Sequence, residues 1–509
     1  MTRVLWLVSA LVAVAAASPY VIGLYTEDAL AASVQAQQKR LEQQGVELEL
    51  RLTDYRRAWL GAGAVLEVRA SGSGAVRSYD LAIDHGPLVP TSGADEPRDM
   101  AGWTTALARV RTRVEPASLV PLADPGMETG DRARLVQLLT PLNPIEVDAL
   151  TTFDGETRAR LHMPAKSFIS TTGARVNVHE GNGSLRVSKD GDSAWALDFQ
   201  GLDAAVDAGP GSKPKAGSRG NPSIEVGAVR INHEQTDIND PLSGQNTHME
   251  LDSLRATPEG LDQPITLSGL RISSRLTPGH DGLDARMSLD IDSLQSTGID
   301  PDTDGRYSIG LDFGFAGLAP EAAREISAVG RMVQADPGAD PALINARVNA
   351  ALASALNASL KNKPSIAIER LSISRDGAPM MDGQLRLALA EVTENDLSGL
   401  GNPMILLRNL SGELAVTLDA APVRASMTKR NVPQVRGLFE DQGLDPDSRE
   451  LESMAAQMAD MTLAMVKAQG FITERDGMLG IEARLEPGLR LTLNGSAFPL
   501  DQFLPTPVQ

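Results

Sequence analysis

The chain has no cysteine in 509 residues. That excludes a disulfide framework, a thiolate metal site and a cysteine nucleophile, and it excludes a lipoprotein anchored through a modified cysteine. Aromatic residues make up only 4%, too few for the stacking platforms that bind bases or sugars. Positive charge is short as well: 47 Lys and Arg stand against 66 Asp and Glu, a net charge of −19. Such a surface repels phosphate backbones, so nucleic acid is not an expected partner. Long apolar runs are missing beyond the N-terminus. Val4–Tyr25 carries no charge over 22 residues, enough to cross the ~30 Å core of a bilayer as a helix.

That first stretch has two readings. Ala13–Ala17 before Ser18 has the small residues of a signal-peptide cleavage site. The apolar character resumes at Tyr20, Val21, Ile22 and Leu24, which favours an uncleaved signal anchor. Arg3 keeps the N-terminus on the cytoplasmic side. The expectation is a single-pass inner-membrane protein with its body in the periplasm and the membrane as partner through this helix. Residues 1–45 form the anchor and a connecting helix that stops at Gly45.

From Val46 the hydrophobic period changes to two. Val46, Leu48, Leu50 and Leu52 alternate with polar residues. The pattern recurs at Val65–Ala70, Val76–Asp84, Arg286–Asp292, Tyr307–Phe315, Ile366–Ile373, Leu385–Leu389, Leu414–Leu418 and Leu489–Leu493. Short intervals with Gly, Asp and Asn turns predict antiparallel meanders with one apolar and one polar face. Helices are expected near 320–334, 341–360 and 447–469. The fold class is therefore α+β and sheet-dominated, with long curved antiparallel sheets and a few covering helices. A β-rich region spans 46–208, a flexible loop 209–222 and a second β-rich region with the helices 223–509.

Few residues suggest chemistry. Asp300, Asp302, Asp304 and Gly305 match half of a calcium loop. Its twelfth position is Leu311 where a bidentate Glu is needed, so an acidic turn is expected. Ser426 and Lys429 share the Ser-x-x-Lys spacing of penicillin-recognising enzymes, but neither Lys-Thr-Gly nor Ser-Asp-Asn occurs in the chain. The six histidines, His85, His162, His179, His233, His248 and His280, form no zinc motif. No catalytic residue, metal ligand or cofactor site is expected. Met454, Met458, Met461 and Met465 fall on one face of the last predicted helix. Flexible thioethers there suit either packing on the protein's own sheet or the lining of an apolar groove.

Two short stretches carry a family resemblance: Tyr55-Arg56-Arg57-Ala58-Trp59-Leu60 and Asp84-His85-Gly86-Pro87-Leu88. Together with the N-terminal anchor and the late Leu493-Asn494-Gly495 turn, the chain resembles the YdgA-like family of bacterial envelope proteins. Ala58 departs from the glycine more usual at that position. The resemblance implies a membrane-anchored, β-rich periplasmic body and no established activity. Tyr55, Trp59, His85, Gly86 and Pro87 are the motif residues, and the His-Gly-Pro step has a structural reading as a forced turn after a strand. Three functions compete. The leading one is a non-enzymatic scaffold or interaction module with an envelope-protein partner or a second copy of itself. The second is a carrier of lipid or another apolar ligand in a curved sheet, AsmA-like by analogy. The third, a hydrolase with a dispersed site, has no support in the residues.

Overall fold

The computed structural model describes residues 48–57, 61–70, 76–85, 89–90, 103–123, 129–170, 173–206, 222–238, 240, 242–258, 264–279, 282–295, 305–324, 358–389, 408–440 and 447–499, with isolated helical residues between 31 and 42 and between 345 and 354. The expected anchor, the 209–221 part of the expected loop, Trp59, Gly86, Pro87 and the acidic turn 300–304 lie outside the described residues. Among the described residues, no helix is long and apolar enough to cross a membrane. The chain divides into two compact units, 1–278 with 324–351, and 279–323 with 352–509.

In the first unit, antiparallel strands pair in the order Leu48–Arg57, Gly61–Ala70, Val76–His85, Ala108–Val114, Ile145–Thr151, Thr157–Met163, Gly181–Val187, Ser193–Phe199, Val229–Gln235, Gln245–Thr257 and Ile265–Gly279. A second ladder runs beside it through Lys166–Ile169, Ala174–Val178, Leu202–Val206 and Ser223–Val226 and rejoins at Gln245–Thr257. Each of its four members is joined to a strand of the first ladder by two residues, so four long strands bend together. Gly201 sits at one of these bends with φ +124°, and a Cβ there would lie 2.4 Å from the Val226 carbonyl oxygen. Only glycine fits that corner.

Alternation does the rest. Leu48, Leu50, Leu66, Val68, Leu81, Ile83, Val110, Val147 and Ala159 turn the same way and form one buried cluster. Two helical segments fill this face. Val34, one of the isolated helical residues between 31 and 42, joins the cluster, and the Gln38 side-chain oxygen accepts from the Leu50 amide at 2.8 Å. Leu119, from the helix Pro116–Ala123, joins it too, and Tyr79 and Ser118 share a hydroxyl hydrogen bond at 3.2 Å. This helix and its neighbour Thr129–Leu139 were not expected from the periodicity. Pro116 at the first helical position is favourable, and the packing of Leu119 supplies what weak periodicity does not.

The second unit is a meander. Gly282–Gln295, Arg306–Leu318, Ser365–Arg375, Ala378–Leu389, Leu410–Asp419, Met478–Glu486, Arg490–Leu493 and Ser496–Phe498 pair in sequence, all antiparallel. One end is closed by helical turns: Leu318, Ala319, Ala322, Leu360 and Leu389 are buried there, and the Ser359 hydroxyl accepts from the Ala319 amide at 2.9 Å. Of the expected helices, residues 320–323, 354 and 358–359 of this unit are helical, as are 324, 345–348 and 350 of the first unit, and 325–334 lie outside the described residues.

The helix expected at 447–469 spans Ser448–Ala468, with Asp447 as its cap accepting from the Glu450 amide at 2.8 Å. Its partner was not expected. Ala420–Glu440 is helical despite Pro433 in its interior, a residue that normally breaks or kinks a helix. Asp419 caps its start by accepting from the Ala421 amide at 3.0 Å. Packing against Ser448–Ala468 then offsets the lost hydrogen bond: Val435, Leu451 and Ala455 are buried together with Val432, Phe439 and Met458 against them. The helix at 447–469 was expected to cover the apolar face of a sheet. Instead the two helices pack chiefly on each other, and they meet the strands through Ala420, Leu463 and Leu479.

Candidate functional site

The cross-strand register of the second unit aligns apolar residues into rows. One row reads Met287, Phe313, Ile368, Leu385, Leu414, Ala483 and Leu493. The next is Leu289, Leu311, Leu371, Gly383, Val416 and Ile481. A third is Ile291, Ile309, Ile373, Met381, Leu418 and Leu479. On the other flank run Ala285, Phe315, Ile366, Leu387, Gly412, Leu485, Leu491 and Phe498. Residues directly opposite in an antiparallel ladder share a face, so these four rows form one surface without a single charged side chain. Leu479 and Gly383 are buried; the other positions are half-buried or, at Met287 and Ile366, exposed. In the first unit the corresponding inner positions Leu66 and Val68 are 0% exposed. The early strands of the first unit have a filled apolar face, whereas the described positions of the second unit's surface stay mostly half-buried, covered by the helix pair at Leu479.

The reverse face of the same strands is polar. Arg370 donates to Asp312 at 2.7 Å and to Asp290, two strands away, at 2.8 Å. It crosses Gly310, where a Cβ would come within 2.8 Å of the Arg370 Nη1; the glycine opens the path. Asp312 and then Asp290 hold the Arg370 pKa above its ordinary value. A trough of about 740 Å³ on this side is bordered by Arg386, Glu413, Glu482 and Arg484. Alternating charges of this kind suit a hydrated surface.

The motif residues of the first unit fall at one end of its sheet. His85 ends the strand Val76–His85 and stands opposite Ala108, in a row that continues to Thr151 and Thr157. The two threonine hydroxyls share a hydrogen bond at 3.1 Å. His85 is 7% exposed and its Nε2 has no hydrogen-bond partner among the described residues. On the opposite face of the sheet lies a group that the sequence did not reveal. Arg109 is 1% exposed, and its Nε and Nη2 donate to Asp148 at 2.8 and 2.6 Å. Its Nη1 donates to the Pro90 carbonyl oxygen. Val89–Pro90 pairs with Trp103–Thr104 as a small separate sheet, and Val89, Ala106 and Leu150 are buried together. Tyr55 packs against the main cluster.

The other candidate motifs have structural partners. His162 pairs with Asn182 at 3.0 Å, His179 with Asp203 at 2.8 Å, His233 with Thr247 at 2.8 Å and His248 with Glu250 at 2.9 Å. His233 also lies against Trp195, ring centroids 5.5 Å apart, and burial lowers its pKa. Ser426 and Lys429 are both exposed on the Ala420–Glu440 helix. Leu311, the failed calcium ligand, sits in the middle of the apolar surface opposite Leu289. No group of three or more His, Asp or Glu among the described residues is placed to hold a metal ion. On Ser448–Ala468, Met458 packs toward the partner helix, whereas Met454, Met461 and Met465 are 41%, 64% and 56% exposed.

No curated protein matches the chain. Residues 2–501 match the family described as bacterial protein of unknown function, DUF945. With nearly its whole length covered by that match, the chain belongs to this DUF945 family.

Proposed function

We propose that this protein is a non-enzymatic, YdgA-like component of the bacterial envelope, held at the inner membrane by its first helix with its body in the periplasm, and that its second unit binds an acyl chain. The observation that carries the reading is the surface of four rows, seven strands wide at the Met287–Leu493 row, without a charge. Six strand spacings of ~4.8 Å give a width of about 29 Å. One leaflet of a ~30 Å hydrocarbon core is about 15 Å deep, so a single acyl chain fits across the strands with room to spare. Complete burial is worth ~0.8 kcal/mol per methylene. Contact on one side captures roughly half of that, so a sixteen-carbon chain gains on the order of 6 kcal/mol before the cost of association, and the net binding is weak and reversible. That strength suits a carrier that loads and releases.

The scaffold reading draws on the first unit, whose apolar face is already occupied by Val34 and Leu119. It stands as a second role for that half. Native mass spectrometry of gently extracted protein tests the carrier: phospholipid or fatty acid adducts support it, and a bare protein mass in repeated preparations refutes it.

A further inference from the structure

Beyond acyl-chain binding, the Ser448–Ala468 helix presents a second surface with different chemistry. Met454, Met458, Met461 and Met465 follow one another at intervals of four, three and four residues, so each lies one helical turn from the next. Their stripe runs beside the packing stripe of the helix, which is made by Leu451, Ala455, Ala459 and Leu463, each 5% exposed or less. A helix that only needed to pack would put its methionines inward. Here Met461 and Met465 are more than half exposed. Exposed apolar side chains on a helix are ordinarily replaced by charged ones, and this stripe contains none. Ala464 and Ala468 beside it are exposed and small, so these two neighbours leave room around the sulfur atoms. Lys467, the basic residue of the last turn, is engaged by Glu474.

We propose that this methionine ladder is a binding site for a soft monovalent cation, Cu(I) or its mimic Ag(I). Thioether sulfur is a soft ligand that selects such ions over zinc, calcium or magnesium, and it needs no deprotonation to bind. Met461 and Met465 form the primary pair. Met458 packs toward the partner helix and leaves the pair to act alone; three flexible bonds per side chain let the Met461 and Met465 sulfurs converge on one ion. A chain without cysteine offers no thiolate to compete for the ion. The test is anaerobic titration of the full chain with Cu(I) against a chromophoric Cu(I) chelator, and with Ag(I) by calorimetry. The wild type binds one ion. The Met461→Leu/Met465→Leu variant keeps the apolar surface and helical propensity but loses both thioethers, and its affinity falls at least tenfold. Met287→Leu, an exposed methionine elsewhere, leaves the titration unchanged. Equal binding by wild type and the double variant overturns the proposal, as does a wild type that does not compete with the chelator. Methyl NMR of labelled methionine gives an independent reading: Ag(I) shifts the Met461 and Met465 signals first if the site is real, and uniform small shifts of all methionines refute it.

Discussion

The buried Arg109 makes the sharpest stability prediction. Its guanidinium is 1% exposed and is held by both oxygens of Asp148. Asp148→Ala removes the counter-charge and leaves the cation in a dry site, which costs about 3–5 kcal/mol. Arg109→Met is milder. Asp148 is 24% exposed and rehydrates, so the loss is the hydrogen bond to Pro90 and part of the pairing energy, about 1–2 kcal/mol. The double variant therefore resembles Arg109→Met, and the second substitution recovers most of what Asp148→Ala alone loses. The four tryptophans, Trp6, Trp59, Trp103 and Trp195, all fall within the first unit, so urea denaturation followed by tryptophan emission reads that unit alone. A loss under about 1 kcal/mol for Asp148→Ala, or a double variant less stable than either single one, would falsify the view that the ion pair is buried and coupled.

Two further outcomes follow from the first unit. Gly201→Ala forces a Cβ toward the Val226 carbonyl in a backbone conformation that L residues avoid, so it costs at least about 2 kcal/mol; a midpoint in urea equal to wild type contradicts the bend geometry. His233 has its pKa lowered by burial. The unfolded chain takes up the proton first, so the contribution of neutral His233 is full above pH ~6.5 and is lost as pH falls below it. His233→Gln flattens the decline in stability between pH 6.5 and 5, and an unchanged slope sinks the assignment.

Much of the strand content could be read directly from the chain. The alternation at Val76–Asp84 and Leu414–Leu418 lies within the strands Val76–His85 and Leu410–Asp419, because a half-buried strand writes its two faces into neighbouring residues. The charge-free surface could not be read that way. It depends on which strand lies beside which and in what register, and a slip of one residue would turn every side chain over. Bulges between Ile368 and Leu371 and between Asp312 and Phe313 adjust that register, and no local pattern announces them. Arg109 was hidden for a similar reason. It alternates with Arg111 and Arg113 in one strand, and nothing local separates it from those two. What buries it is the return of Val89–Pro90 across the sheet just past His85. The Ala420–Glu440 helix failed on propensity: Pro433 and Gly437 speak against it, and only contact with a distant helix restores it.

Binding of a fluorescent fatty acid to wild type, Val416→Asp and Thr417→Asp tests the central claim most directly. Val416 lies between Gly383 and Ile481 on the apolar surface, and Thr417 points to the polar side between Asp382 and Gly480. The account predicts weak, saturable binding, at least tenfold weaker in Val416→Asp and unchanged in Thr417→Asp, with both variants as stable as wild type because water reaches both faces. No binding by wild type, equal binding by all three, or a severe loss of stability in Val416→Asp alone would show that this surface is already covered and carries nothing.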